Sequence, residues 1–316
     1  MNMAVSTKII KRRIKSVKNT KKITKAMELV SAAKMRRAVE AVVNTRSYSS
    51  LAWELLMHLS AIREQVSLPL LEMRPVQRLL VILMTSNRGL CGSFNTNIIR
   101  KTLEQLKNPK NIARHRDGGK ELEPAEQVEV SVIAVGKKGG DRVAKLGYRL
   151  EAVFSEVSDT PRLDDIMPIV KMVRSGYEEK QYDKVVIAYT DFRSAVTQVP
   201  KLRQLLPLST VDLEKMLLDA GVEEVKNGAS EIEYLFEPDK LDVLQMMLPR
   251  LVETQLFQAI LESSASEHSA RMIAMRSASD AAEEMVDELN LSFNKARQAG
   301  ITQQIAEIAG GAAALG

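Results

Sequence analysis

Neither glycine nor proline occurs in the first 68 residues or in the 50 from Arg250 to Ala299, and all ten prolines fall between Pro69 and Pro249. These two residue types interrupt regular backbone most strongly, glycine through its conformational freedom and proline through its fixed φ and missing N–H. Their absence at both ends predicts two very long helices. Stretches of that length reach roughly 75–100 Å as helix, whereas a domain of this size is about 40–50 Å across. The helices must extend past any domain the middle can build, which implies a mechanical or tethering role.

Apolar spacing supports this. Met272, Met275, Ser279, Ala282, Val286, Leu289, Phe293 and Ala296 alternate three and four without a slip, and seven of the eight are apolar. A sustained 3.5-residue repeat predicts a left-handed supercoil with a partner helix. The N-terminal helix is the expected partner, running antiparallel, with a stripe through Ile10, Ile14, Val17, Ile23, Met27, Val30, Leu51, Leu55, Leu59 and Ile62. Charge agrees. Residues 1–68 hold 14 Lys/Arg against Glu28, Glu40, Glu54 and Glu64, while residues 250–316 hold five basic and nine acidic groups. Helices of opposite charge are suited to lie side by side.

Between them the pattern changes. Leu79–Met84, Val128–Val135 and Val185–Tyr189 read as buried strands, Leu150–Val157 as a weaker one, and Glu231–Phe236 as an edge strand. Asn97–Leu106, Asp141–Leu146 and Asp164–Val173 read as helices. The alternation predicts a small α/β body with a mostly parallel sheet. Pro238 suits the first turn of the final helix, and Pro249 is expected to kink it. Two stretches read as insertions. Asn108–Gln127 is polar and is expected to be a mobile loop. Ser209–Ser230 is acidic, and Leu213, Met216 and Leu217 suit a short helix folded against something.

Catalytic chemistry has little to stand on. Gly89-Leu90-Cys91-Gly92 and Gly136-Lys137-Lys138-Gly139-Gly140 sit where α/β proteins place phosphates, but neither has the spacing of a dinucleotide or P-loop fingerprint. Both read as tight turns. His58, His115 and His268 are scattered, so no His-based metal site or triad is supported. The single Cys91 excludes an internal disulfide and fits a small buried residue in a reducing compartment. No apolar run approaches the roughly 20 residues of a membrane span. A tethering coiled coil with an α/β head and an RNA-binding helical arm remain as alternative readings. The acidic C-terminal helix argues against the second, because paired helices partly cancel the basic field.

The residues then become recognisable. Ile14-Lys15-Ser16-Val17-Lys18-Asn19-Thr20-Lys21-Lys22-Ile23-Thr24-Lys25-Ala26-Met27 resembles the N-terminal helix of the gamma subunits of rotary F-type ATP synthases. Ser86-Asn87-Arg88-Gly89-Leu90-Cys91-Gly92 resembles that family's loop after its first central strand. Ser266-Glu267-His268-Ser269-Ala270-Arg271-Met272, Asn294-Lys295-Ala296-Arg297-Gln298-Ala299 and Ile301–Glu307 with Gly311-Ala312 are similar to its C-terminal helix.

The resemblance covers nearly the whole chain. It implies an antiparallel coiled coil of N- and C-terminal helices (1–68 and 238–316) around a small Rossmann-like α/β foot (76–237, with insertions 108–127 and 209–230). It further implies a rotor shaft, with no active site, cofactor or small-molecule ligand of its own and no nucleic-acid partner. The implied partners are alpha and beta subunits, an epsilon subunit and a membrane c-ring. The implied location is peripheral, on the cytoplasmic face of the membrane. By motif, Arg297, Gln298, Arg271, Thr302 and Met27 would contact beta subunits, and Tyr234 and Glu237 the c-ring and epsilon subunit. Gln304 stands where the family usually has an acid, so a charge-assisted bond worth about 1.5–3 kcal/mol becomes a neutral one of roughly 1. Ser209–Ser230 lies where photosynthetic relatives carry a cysteine pair, but it has no cysteine, so a thiol switch there is chemically impossible.

Overall fold

The computed structural model describes residues 7–58, 68–117, 120–158, 160–208, 237 and 239–315. In chain order the elements are α1 (Thr7–His58), a 3-10 turn (Pro69–Leu71), β1 (Arg78–Met84), α2 (Phe94–Leu106), α3 (Pro109–Ala113), β2 (His115–Asp117), β3 (Lys120–Leu122), β4 (Glu129–Val135), α4 (Lys137–Lys145), β5 (Arg149–Phe154), α5 (Leu163–Glu178), β6 (Lys184–Phe192), β7 (Gln198–Leu206) and α6 (Lys240–Leu315). The predicted long helices are therefore present, at 52 and 76 residues. Pro249 lies inside α6 without ending it. Among the described residues no helix is long and apolar enough to cross a membrane. The chain divides into two compact units, residues 33–270 and residues 1–32 with 271–316.

The first unit is built on a five-stranded sheet in the order β5-β4-β1-β6-β7. Its first four strands pair in parallel, and β7 pairs antiparallel with β6. The order winds outward from β1 in both directions, as in doubly wound α/β folds. Both faces of β1 are covered, which is why its sequence is a continuous apolar run. Leu80, Ile82 and Met84 pack with Ile166, Ile169, Val173 and Tyr177 of α5 and with Leu248, Val252 and Leu256 of α6. Leu79, Val81 and Leu83 pack with Ile98 and Leu106 of α2 and Val143 of α4.

A polar knot closes one end of the sheet. Asp183, buried just before β6, accepts bonds from Gln77 N (3.1 Å), Arg78 N (2.9 Å) and Arg74 Nε (3.0 Å). Arg74 also donates to the carbonyls of Tyr177 and Tyr182 and lies 4.4 Å from the centre of the Tyr177 ring. Burial by itself would raise the Asp183 carboxyl, but the Arg78 and Gln77 amides and the two guanidiniums outweigh it and hold it below the ordinary range.

Three sequence expectations need correction. Insertion 108–127 carries regular structure, namely α3 and the β2–β3 hairpin, which Lys184 Nζ ties to the sheet end through the Arg114 carbonyl at 2.8 Å. A polar composition hid two short antiparallel strands around the buried His115. The strand β7 was absent from the sequence reading because Pro200 interrupts its pattern. Proline is tolerated there because β7 is an edge strand. The α1 stripe also departs from expectation, because the helix pair follows heptad spacing rather than hydrophobicity. The edge strand expected at Glu231–Phe236, the helix expected in Ser209–Ser230, and Pro238 lie outside the described residues.

His115 offers a stability test. Burial, reinforced by the Lys184 and Arg74 charges, pushes its imidazole down to about 4, with the Arg74 backbone and Asp183 only partly opposing. A base whose folded pKa is depressed favours folding fully above its unfolded pKa of about 6.5 and loses that contribution as pH falls toward 4. Relative to His115→Leu, the wild-type chain should lose about 3 kcal/mol between pH 7 and pH 4, measured by denaturant unfolding at each pH. A pH-independent difference would show that the ring is not held neutral by its surroundings.

The second unit is an antiparallel helix pair. Thr24 Oγ1 meets Ser279 Oγ at 2.7 Å and Lys21 Nζ meets Glu283 Oε1 at 2.7 Å, so numbers fall along α1 as they rise along α6. All eight α6 positions of the predicted heptad are buried or half-buried. On α1 the seam is not the one read from hydrophobicity. It passes Ile10, Ile14 and Val17 as expected, then continues through Lys21, Thr24, Glu28 and Ser31, while Ile23 and Val30 are 61% and 54% exposed. The step from Val17 to Ile23 is six residues, which turns a helix well off one face. Heptad continuity therefore selects polar side chains at these positions over the apolar Ile23 and Val30 nearby.

Candidate functional surfaces

The phosphate-loop candidates are the first place to look for small-molecule chemistry. After β1, Thr85 crosses the end of β4, donating its N–H to Val135 O at 2.8 Å. Gly136 follows at φ +100°, a left-handed backbone that favours glycine. The amides opening α4 then face this chain's own acceptors. Lys137 N donates to Asn87 Oδ1 (3.0 Å), Lys138 N to Ser86 O (3.2 Å) and Gly139 N to Thr85 Oγ1 (2.8 Å). Asn95 holds the same loop from α2, accepting from Ser86 N at 2.9 Å and donating to Ser86 Oγ at 2.7 Å and Cys91 Sγ at 3.2 Å. The donors that would cradle a phosphate are used to lock two loops together. The Gly136–Gly140 turn is thus locked internally, and Cys91 is buried.

His268 is buried as well, which makes it a packing residue. Among the described residues no group of three His, Cys, Asp or Glu side chains is placed to hold a metal ion.

The residues singled out by resemblance fall into separate groups. Arg297, Gln298 and Thr302 are neighbours on α6, with Thr302 one turn past Gln298, and all three are exposed. Continuing the register set by Thr24–Ser279, the start of α1 at Thr7 faces the turn around Ala296. The tip group therefore stands where α6 runs on beyond the described part of its partner. Ile301, Ile305 and Ile308 share that bare stretch, each at least half exposed or nearly so. Arg271 and Met27 are half-buried. Arg271 stands about 39 Å along the helix from Arg297. Gln304 is exposed in the same bare stretch. Glu237 is exposed in the other unit, and Tyr234 lies outside the described residues. Nothing in their burial marks these groups as a chemical site. Arg297, Gln298, Thr302 and Glu237 are exposed surface positions, and Arg271 and Met27 are half-buried ones.

The sequence reading missed the buried acids Asp183, Asp191 and Glu262, because charged residues in an amphipathic helix or at a strand end read as solvated.

Comparison with known proteins gives this arrangement a context. A family model described as ATP synthase matches residues 6–315. The ATP synthase gamma chain of Herpetosiphon aurantiacus is 43% identical over 319 residues, covering 98% of this chain and 99% of that protein. The ATP synthase gamma chain of Coxiella burnetii (strain CbuG_Q212) is 38% identical over 308 residues, covering 97% and 98%. Among solved structures, a chain of the Euglena gracilis mitochondrial ATP synthase (OSCP/F1/c-ring, rotational state 3) shares the fold with a TM-score of 0.62 at 18% identity, covering 98% of this chain and 94% of that one. A chain of the Tetrahymena thermophila mitochondrial ATP synthase central stalk and c-ring has a TM-score of 0.56 at 24% identity, covering 81% and 99%. With a helix pair, a doubly wound body and a match along its whole described length, this chain belongs to the ATP synthase gamma-chain family.

Proposed function

We propose that the chain transmits torque between a membrane-embedded c-ring and a ring of alpha and beta subunits, without an active site of its own. The chain is the rotor-shaft subunit of an F-type ATP synthase, and its family membership carries that statement. The finer reading divides the labour. The segments 1–68 and 238–316 act as the shaft, and 76–237 as a foot on the c-ring, assisted by an epsilon subunit. The assembly lies on the cytoplasmic face of the membrane, with this chain as a peripheral component. Rotation then works by differential contact, each shaft orientation favouring a different conformation of the catalytic subunit it faces.

The observation that most supports this division is the bare, exposed tip of α6 with Arg297, Gln298 and Thr302 in consecutive turns. An arginine there can make bidentate contacts to a carboxylate or backbone carbonyls of a passing beta loop. The isolated chain, free of alpha and beta subunits, should show no steady ATPase activity. Sustained hydrolysis by the purified chain would overturn the non-catalytic reading.

Met27 gives a sharper test. Its neutral, half-buried side chain would face an acidic beta loop. A lysine there would add a partly desolvated ion pair worth about 2–5 kcal/mol, binding one orientation too tightly. Met27→Lys should therefore lower ions pumped per ATP hydrolysed while leaving helix content unchanged. Normal coupling in the assembled complex would reduce Met27 to a seam residue.

A further inference from the structure

One buried group has no part in the shaft reading. Glu262 of α6 is 6% exposed and Asp191 of β6 4% exposed. One turn along α6, Ser266 Oγ donates to the carbonyl of Thr190, next to Asp191, at 3.1 Å, and the Asp191 carboxyl lies within hydrogen-bonding reach of Glu262. Asp191 Oδ2 lies 2.7 Å from Arg193 Nε and 2.8 Å from Lys201 Nζ. Among the described residues, Glu262 Oε1 accepts from the neutral amide of Gln258 at 3.0 Å, and Glu262 Oε2 receives no hydrogen bond. Tyr189 of β6, Arg203 of β7 and Gln255 of α6 line the same small cavity. All of these groups lie in the unit that contains the sheet.

Two carboxylates this deeply buried cannot face each other at low cost. A single proton removes both difficulties. It neutralises the charge with the weaker support, and it turns the orphaned Oε2 into an O–H donor to Asp191. Asp191 already has two cationic partners, so the proton belongs on Glu262. We propose that Glu262 and Asp191 together form a proton-binding site, and that the shared proton clasps α6 to the antiparallel edge of the sheet.

The electrostatics agree with this geometry. Burial first, and then the Asp191 charge, push the Glu262 carboxyl up to about 7, against opposition from Gln258 and Arg203. An acid whose folded pKa is raised stabilises the fold fully below its unfolded value near 4.5, and that contribution is lost as pH rises to the folded one. Near neutral pH the clasp is thus partly occupied, and the hold on α6 follows proton activity.

The test uses the full chain. Unfolding is measured by denaturant, and by hydrogen exchange of the β6 and β7 amides, from pH 5 to 8 in wild type and Glu262→Gln. The glutamine mimics the protonated acid by donating to Asp191 at every pH. The wild-type unfolding constant should rise about tenfold per pH unit relative to Glu262→Gln up to about pH 7, and then level off. Infrared spectra at pH 6 should show a carboxylic-acid carbonyl band that Glu262→Gln lacks. A flat ratio across the range, or an unchanged band, would overturn the proposal. Should Glu262→Gln fail to fold, the titration of that band in wild type and Asp191→Asn decides. The midpoint moves to lower pH when the facing carboxylate is removed, and an unmoved midpoint removes Asp191 from the site.

Discussion

Replacing Asp183 by alanine should destabilise the sheet-containing unit by about 3–5 kcal/mol, the cost of leaving the mostly buried Arg74 guanidinium and two strand amides without their acceptor. The acid is almost wholly buried, and its four bonds join three parts of the chain. Gln77 and Arg78 enter β1, Asp183 enters β6, and Arg74 reaches back to the carbonyls that end α5. Alanine removes the acceptor and keeps every donor, which is the costly kind of loss. Denaturant unfolding followed by hydrogen exchange of the β1 and β6 amides measures it. Asp183→Asn keeps one acceptor oxygen and should cost less. Equal losses for the two variants would show that the carboxylate's charge carries the whole effect and the retained neutral oxygen none of it.

Gly136→Ala should be of comparable size, about 4 kcal/mol or more, for a different reason. An added Cβ would lie 2.0 Å from the Thr85 carbonyl oxygen and 2.6 Å from its carbon, both backbone atoms that cannot swing aside. The position is also at φ +100°, where a side chain is strained whatever the space. Relief would pull apart the crossing of β1 and β4, breaking the bonds Thr85 N–Val135 O and Gly136 N–Phe154 O. Gly147→Ala is the control. It shares the positive φ but meets no atom within 4 Å, so it should show backbone strain alone. If the two substitutions cost the same, the close approach at Gly136 carries no weight.

These sites show what a sequence reveals and what it conceals. The strands β1 and β6 were legible because burial on both faces demands unbroken apolar runs, and β4 because its apolar residues alternate into Gly136. The α6 heptad was legible because a supercoil demands strict spacing. The α1 seam was not, since Lys21, Thr24 and Ser31 face the partner helix while apolar Ile23 and Val30 face outward. Hydrophobicity marks where burial is favourable, but the 3.5-residue geometry decides where contact occurs. The strand β7 stayed hidden behind Pro200, and the β2–β3 hairpin behind polar composition. Arg297, Gln298 and Thr302 were reached through family resemblance alone, since an exposed helix tip gives no physical sign of what it touches. Buried acids escaped notice for the opposite reason. Their partners are distant in sequence, and only folding brings Asp191 to Glu262 or Asp183 to Arg74.

The hydroxyl contact in the helix pair has a mechanical consequence. Thr24 Oγ1 also lies 3.0 Å from the Lys21 carbonyl, and Ser279 Oγ lies 2.9 Å from that of Met275. Three contacts share two hydrogens, so the bridge can exchange donor for acceptor while no heavy atom moves. Such a contact resists separation but only weakly opposes small rotations of one helix against the other. The small side chains at Thr24, Ser31, Ser279 and Ala282 also let the axes draw together. A two-stranded rod resists twist through the lever arm between its strands, and that resistance falls as the arm shortens. This helix pair is therefore held more firmly against splaying than against small rotations of one helix on the other.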